Sequence, residues 1–254
     1  MSIQANQTGN EVYKDIMLLT GWGSTCAVWD PIIPALTNAF QINCISPSWI
    51  IDSPDDGSLA NVDDYIETLG NRLKSPTHII AWSMGGLLAI KLAARFPERI
   101  GKLCLIASVP KFVSKDKTCS AIDYSWFSQF TKQYQKEPLA TLSKFLTLQV
   151  SGDSNAKAAL RFLKNVSHFQ HYDLMECGRG LNLLGQLDLL ETMKTLKCPC
   201  LFVQGDKDAV VNPEITQHVA SVTHANIKLL AGAAHAPHVS HPDEISEIIL
   251  NYLQ

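Results

Sequence analysis

Three kinds of side chain that could carry out nucleophilic catalysis follow one another along the chain. Ser83 lies among small residues in AWSMGG, where one apolar run ends and another begins. Asp206 and Asp208 follow a later apolar run, and His235 follows the next one. A serine hydroxyl becomes a nucleophile when a histidine removes its proton and a carboxylate orients that histidine. The order therefore predicts acyl transfer, with Ser83 as nucleophile and His235 as base.

Ser83 has a structural alternative, because small residues and caps are common where a strand turns into a helix. The functional interpretation is a nucleophile elbow, a strained turn that holds the serine oxygen clear of the backbone. The aspartates and His235 downstream favour the elbow. The oxyanion of such a reaction needs two N–H donors. We expect them from Met84, at the start of the following helix, and from Trp22, between two glycines in GWG.

Short apolar strands alternate with helical patterns over most of the chain, which predicts a parallel sheet covered by helices on both faces. Between about Pro110 and Leu190 the strand signals stop and aromatic-rich helical segments replace them. The simplest architecture is an α/β core of residues 1–109 and 190–254, interrupted by a helical cap of residues 110–189. The predicted strands lie in DIMLLTGWG, FQINCIS, THIIAWS, KLCLIAS, CLFVQGD and IKLLAG.

Composition limits the classes of partner. The 254 residues are 46% hydrophobic and 18% charged, which is typical of a compact globular protein. The net charge of -3 argues against a nucleic-acid partner. No apolar stretch reaches the roughly 18 residues of a membrane helix, and the polar first fifteen residues are unlike a signal peptide. We expect a monomer with no membrane partner.

The seven cysteines are an odd number, which favours free thiols and a cytoplasmic location. Cys44, Cys104 and Cys200 lie in apolar runs and are expected to be buried free thiols, and Cys26 is expected to pack. CPC at 198–200 lacks the Cys-x-x-Cys spacing and a second pair, so no metal is predicted there.

Five segments, in this order, resemble the α/β-hydrolase superfamily: GWG, AWSMGG, ARFPERIGKLCLIAS, GDKDAVVNP and AAHAPHVSHP. More narrowly, the chain is similar to the pimeloyl-[acyl-carrier-protein] methyl ester esterases of biotin synthesis, over about Met17 to Leu253. The narrower resemblance adds Trp22 and Trp82 beside the catalytic groups, and SKFLTLQVSG in the cap. It implies an α/β-hydrolase fold and requires no metal or organic cofactor.

The resemblance assigns Ser83 as nucleophile and His235 as base. Asp208 becomes the orienting acid, because the pattern Gly-x-x-Asp-x-x-Val starts at Gly205. Asp206 is the alternative acid, with loop hydrogen bonding as its other role. The resemblance also implies a set of substrate-contacting positions: Trp22, Met84, Phe145, Leu146, Thr147, Leu148 and Gln149.

The chain departs from the family pattern at three places. Ala81 replaces the first glycine of Gly-x-Ser-x-Gly, and alanine is small enough to preserve the turn. Thr20 replaces the histidine that usually precedes the oxyanion glycine, so support of that loop must differ. The segment Ser46–Leu59 lacks the usual Gly-x-Gly-x-Ser, which leaves the pocket wall there open.

Several other side chains have ordinary structural interpretations. His238 and His241 are expected to pack or cap, and His168 and His171 lack the neighbours that a metal site needs. Part of the cap's aromatic set usually lines an acyl pocket, a role that we assign to Phe145. The others are core by default, with a pocket role open: Trp126, Phe127 and Phe130.

Residues 131–165 carry six basic and two acidic side chains, a net +4 in a chain of net -3. Lys157, Arg161 and Lys164 are spaced to share one helix face. On charge alone this is either a solvated face or a docking surface for an acidic partner. The resemblance favours docking, because the carrier protein of that family is acidic and binds the cap. The predicted docking residues are Lys144, Lys157, Arg161 and Lys164.

The residues therefore predict a serine carboxylesterase, and the resemblance implies that its substrate is the methyl ester of pimeloyl-acyl-carrier protein. Two alternatives stay open. One is a small-ester or lipid esterase with no carrier partner. The other is a receptor or binding protein with a hydrolase fold and slow turnover.

Overall fold

The computed structural model describes residues 15–46, 60–73, 75–115, 121–167 and 171–254. The predicted segment Ser46–Leu59 lies outside the described residues from position 47 onward. The strands found within these ranges are β1 (Asp15–Leu19), β2 (Gln41–Ile45), β3 (Thr77–Trp82), β4 (Ile100–Ile106), β5 (Val113–Ser114), β6 (Ile122–Asp123), β7 (Cys200–Gly205) and β8 (Asn226–Leu230).

The six longer strands form one parallel sheet in the order β2-β1-β3-β4-β7-β8. The predicted parallel sheet with covering helices is confirmed. The described helices are α1 (Ile33–Leu36), α2 (Ala60–Arg72), α3 (Gly85–Arg95), α4 (Tyr124–Lys136), α5 (Pro138–Gln149), α6 (Ala156–Val166), α7 (His171–Gln186), α8 (Leu190–Lys194), α9 (Pro213–Thr223), α10 (Pro237–Ser240) and α11 (Pro242–Leu253).

The sheet is covered on both faces because alternate residues of each central strand point in opposite directions. In β3, Ile79 and Ala81 belong to one buried cluster, with the apolar residues of α3. Ile80 and Trp82 belong to the other cluster, with those of α11. A strand buried on both faces reads as a continuous apolar run, which is why β3 was visible in the sequence.

The helices α4 to α7 lie between β4 and β7 in the chain, and the two ends of this insert meet. The Leu189 N–H donates to the Pro110 carbonyl oxygen at 2.9 Å, and Lys111 pairs with Asp188 at 2.7 Å. The strands β5 and β6 pair within the insert and were not predicted. Two residues are too few to give a recognisable strand pattern.

The cysteine prediction is wrong at two positions. Cys26 and Cys44 form a disulfide, with their Cα atoms 5.9 Å apart. The pairing depends on β2 lying beside β1, which brings Cys44 next to the segment after β1. Cys104 is free and buried as predicted, whereas Cys200 is free but only partly buried.

Within the described ranges, no helix combines the length and the apolar character needed to cross a bilayer. The same residues contain no group of three or more His, Cys, Asp and Glu side chains arranged to hold a metal ion.

Candidate active site

Ser83 occupies a strained turn between β3 and α3. Its φ of 53° lies in the left-handed region, which residues other than glycine rarely adopt. The Ser83 N–H donates to the Ile106 carbonyl at 2.9 Å, and the Ser83 carbonyl accepts from Ser108 Oγ at 2.7 Å. A Cβ at Gly85 would lie 2.6 Å from the Leu19 carbonyl oxygen. Close packing and these hydrogen bonds therefore hold the serine in its strained conformation.

The three residues predicted to act together are hydrogen-bonded in series. Ser83 Oγ lies 3.1 Å from His235 Nε2, and His235 Nδ1 lies 2.8 Å from Asp208 Oδ2. All three side chains are buried. With Nδ1–H donating to the carboxylate, Nε2 is free to accept the serine proton, which is the geometry of general-base activation.

Asp208 is held by four donors. Its Oδ1 accepts the N–H groups of Val210 and Val211 at 2.8 and 2.9 Å. Its Oδ2 accepts Gln204 Nε2 at 2.8 Å, besides the His235 ring. These hydrogen bonds fix the orientation of the carboxylate toward the histidine.

Gln204 is a supporting residue that the sequence analysis missed. It is fully buried in β7, its Nε2 contacts Asp208, and its Oε1 accepts from Thr216 Oγ1 at 2.9 Å. The available signal was a lone polar side chain inside the apolar run LFVQG. Asp206 has a different role, since its Oδ1 accepts the Gly232 N–H at 2.7 Å.

The other histidines near the site take structural positions. His238 is fully buried against the rings of Trp29 and Trp82, at centroid distances of 4.6 and 4.7 Å. Burial, with a smaller effect of nearby His235, lowers the pKa of His238 to about 3, so its ring stays neutral near pH 7. His241 contacts Ser154 Oγ and Ser240 Oγ. His168 and the side chain of His171 lie outside the described part of the chain.

The loop after β1 lies directly against the elbow. A Cβ at Gly21 would approach the Ser83 Cβ at 3.2 Å. Thr20 supports the loop by donating from Oγ1 to the Ser24 carbonyl at 3.4 Å. The indole Nε1 of Trp22 donates to the Cys177 carbonyl at 2.7 Å, which fastens the loop to α7. Met84 is the N-cap of α3, where helix N–H groups and the helix dipole favour negative charge.

An apolar cavity adjoins Ser83. Trp126 of α4, one of the side chains that line it, is 43% exposed. The rings of Phe145 and Trp22 meet edge-on inside it, with centroids 5.0 Å apart. The described lining consists of Trp22, Ser83, Phe112, Ile122, Trp126, Phe127, Phe130, Phe145, Leu181, Leu184 and Val210.

The predicted contact segment on α5 divides between different environments. Phe145 lines the cavity, whereas Leu146 is buried in the cluster that contains Trp82. Thr147 is exposed and Leu148 is half-buried. The Gln149 carbonyl accepts the His235 N–H at 2.9 Å. Among the described residues, the segment thus gives the cavity one side chain and gives the histidine a backbone contact.

The four predicted docking residues are exposed on two neighbouring cap helices. Lys144 lies on α5, and Lys157, Arg161 and Lys164 lie on α6. Within the described residues, none of the four forms an ion pair. Their charges are therefore available to an acidic partner, or to solvent.

Comparison with known proteins places this site in a family. Residues 16–248 match the model of the alpha/beta hydrolase family, and the chain belongs to that family. The pimeloyl-[acyl-carrier protein] methyl ester esterase of Aliivibrio salmonicida is 30% identical over 95% of this chain and 92% of that protein.

Two further matches differ in extent. The biotin biosynthesis bifunctional protein BioHC of Teredinibacter turnerae is 32% identical over 94% of this chain, which spans only 44% of that longer protein. A bromoperoxidase from Bacillus anthracis shares the fold with a TM-score of 0.82 at 16% identity, covering 95% of this chain and 92% of that one. The predicted resemblance and the enzyme class, a carboxylic ester hydrolase, are confirmed by the family and the esterase relatives.

Proposed function

We propose that the chain is a serine carboxylesterase that hydrolyses the methyl ester of pimeloyl-acyl-carrier protein in biotin biosynthesis. The observation that carries the proposal is the hydrogen-bonded series Ser83–His235–Asp208 at the wall of an apolar cavity. The substrate assignment takes further support from relatives that bear that name over nearly their full length.

In this mechanism Ser83 Oγ attacks the ester carbonyl while His235 Nε2 takes the serine proton. The N–H groups of Trp22 and Met84 stabilise the oxyanion that forms. His235 returns the proton to the methoxide oxygen, and methanol leaves. A water molecule, deprotonated by His235, then attacks the acyl-enzyme and releases the carboxylic acid and Ser83.

The cavity suits a neutral acyl chain. Apart from Ser83 its described lining is hydrophobic, so it offers no cation to a free carboxylate. We infer that a chain bound at Ser83 leaves the cavity beside Trp126, which is exposed on the cap, toward a carrier. The exposed basic residues on α5 and α6 give the cap the charge that an acidic carrier protein requires.

The substrate is tested by comparing methyl pimeloyl-carrier protein with the same methyl ester attached to no carrier. We expect a higher kcat/KM for the carrier-linked ester, because docking supplies extra binding. Equal values would favour a general small-ester esterase. Failure to turn over a short p-nitrophenyl ester would instead favour the receptor alternative.

The docking surface gives a second expected result. Changing Lys144, Lys157 and Arg161 together to Glu should lower kcat/KM on the carrier-linked ester and leave turnover of a small free ester nearly unchanged. Exposed contacts are worth about 0.2–1 kcal/mol each, so the triple change is needed. Because exposed charges are screened over about 8–10 Å, added salt should reproduce the loss in the parent protein. If the triple variant matched the parent protein on both substrates at low salt, the carrier protein would have to dock elsewhere.

A third expected result comes from the packing of α7 on the loop after β1, which carries the predicted donor Trp22. A Cβ at Gly180 would approach Trp22 Cδ1 at 2.8 Å and Met84 Sδ at 3.3 Å, whereas a Cβ at Gly178 comes no closer than 3.7 Å to Tyr134. Gly180→Ala should displace the predicted donors and lower kcat on a p-nitrophenyl ester by about 10-fold or more, since losing one donor costs about 10²–10³.

Gly178→Ala is the matched control, because it makes the same change in the same helix. Both variants should gain about 0.5–1 kcal/mol from the higher helix propensity of alanine. A difference in kcat between them therefore does not come from helix propensity. Equal kcat in the two variants would argue against a catalytic role for the loop.

A further inference from the structure

Residues 232–235, which end at the proposed catalytic histidine, form a segment that we call the histidine loop. The backbone of each of these four residues forms a hydrogen bond with another part of the protein. From the sheet side, Asp206 Oδ1 accepts the Gly232 N–H at 2.7 Å, and the Lys207 N–H donates to the Ala233 carbonyl at 2.9 Å. The His235 carbonyl accepts Trp82 Nε1 at 2.7 Å.

The other side of the histidine loop is held by the cap. Gln149, the last residue of α5, and residues 150–155, which join α5 to α6, form a segment that we call the cap turn. The Gln149 carbonyl accepts the His235 N–H at 2.9 Å, and the Ser154 N–H donates to the Gly232 carbonyl at 2.8 Å. The position of the histidine ring thus depends on the insert as well as on the sheet.

Asp153 makes the side-chain contact of this interface. Its Oδ2 accepts the N–H of Ala234, the residue before His235, at 2.7 Å. Its Oδ1 accepts the Asn155 N–H at 2.8 Å, which closes the cap turn on itself. The residue is only 8% exposed, although it lies in a basic segment. A buried carboxylate that accepts two backbone N–H groups makes strong, directional hydrogen bonds.

We propose that Asp153 is a positioning residue that fixes the catalytic base through the Ala234 N–H. It is not among the described residues that line the cavity, and its carboxylate accepts hydrogen bonds from the Ala234 and Asn155 N–H groups. It sets the backbone from which the His235 ring reaches Asp208 and Ser83, and so couples the cap to the chemical step. A misplacement of about 1 Å at a catalytic group can lower the rate about 10²-fold. Loss of a contact that positions His235 can therefore lower the rate strongly, although the contact is remote from the reacting atoms. The inference rests on the proposed role of His235.

The test is a double-mutant cycle measured on a small p-nitrophenyl ester, so that carrier docking does not enter. Asp153→Ala should lower kcat by about 10- to 100-fold with KM within about twofold. Asp153→Asn keeps one acceptor oxygen and should fall in between, which covers the case in which the alanine variant does not fold. Glu137→Ala, which removes an exposed acid from the same basic segment, is the charge-matched control and should behave as the parent.

The second arm repeats Asp153→Ala in a His235→Ala background. If Asp153 acts through the histidine, the already reduced rate should not fall further. An equal proportional loss in both backgrounds would mean general destabilisation and would overturn the proposal, as would Asp153→Ala and Asp153→Asn both retaining parental kcat. A His235→Ala protein as active as the parent would overturn the triad first, which separates failure of the proposed function from failure of this inference.

Discussion

Replacing Ser83 with alanine is expected to lower kcat by about 10⁴-fold or more and to abolish labelling by a fluorophosphonate probe. The probe forms a covalent bond with an activated serine oxygen, and Ser83 Oγ is the oxygen that lies 3.1 Å from His235 Nε2. Without the nucleophile, the enzyme retains only substrate binding and oxyanion stabilisation. In serine hydrolases these account for a small part of the total rate enhancement. Turnover of a p-nitrophenyl ester and gel detection of the probe measure the two effects.

The control is Ser143→Ala, which removes an exposed serine from α5 of the cap. It should retain both labelling and turnover. The Ser83 variant should keep its far-ultraviolet circular dichroism and its melting temperature within a few degrees, because a small side chain is removed without disturbing the backbone hydrogen bonds. Labelling of the Ser83→Ala protein at the parental level would contradict the elbow interpretation.

The second large effect separates the two aspartates. Asp208→Asn should lower kcat by about 10⁴-fold, by analogy with other triads, because the amide cannot hold the required histidine tautomer and charge. Asp206→Asn should change kcat by no more than about threefold, since its Oδ1 can still accept the Gly232 N–H and its ion pair with Lys207 is partly exposed.

Both variants make the same chemical change two positions apart, so each is the control for the other. The measurement is kcat on a small ester, with melting temperatures to show that both proteins are folded. A large loss of kcat in Asp206→Asn with a small loss in Asp208→Asn would mean that the pattern Gly-x-x-Asp-x-x-Val, started at Gly205, identifies the wrong aspartate.

The sequence was sufficient for features that depend on residue type and local order. Buried strands gave apolar runs, and the proposed nucleophile, acid and base each follow such a run. The frame from Gly205 chose Asp208, and the structure places that carboxylate, rather than Asp206, against the histidine. The three side chains lie close together because a parallel sheet gathers the carboxyl ends of its strands at one edge.

Features that depend on packing between distant segments were not predictable in this way. The Cys26–Cys44 disulfide requires the pairing of β1 and β2. The contact of Asp153 with Ala234 spans 81 positions and leaves no local pattern. Within SKFLTLQVSG, helical rotation turns Phe145 toward the cavity and Leu146 toward the opposite cluster, a division that similarity alone does not supply.

The parallel sheet has a consequence for how this protein folds. Ser83 and His235 are 152 positions apart, with the whole insert between them, and they meet only when β3, β7 and β8 have all joined the sheet. Closing such a long loop costs entropy before any native contact compensates, and non-local pairing is the slow kind of folding event. Helices can form early, on local contacts. We therefore expect esterase activity to appear late in folding, after a chain with native-like helix content has already formed.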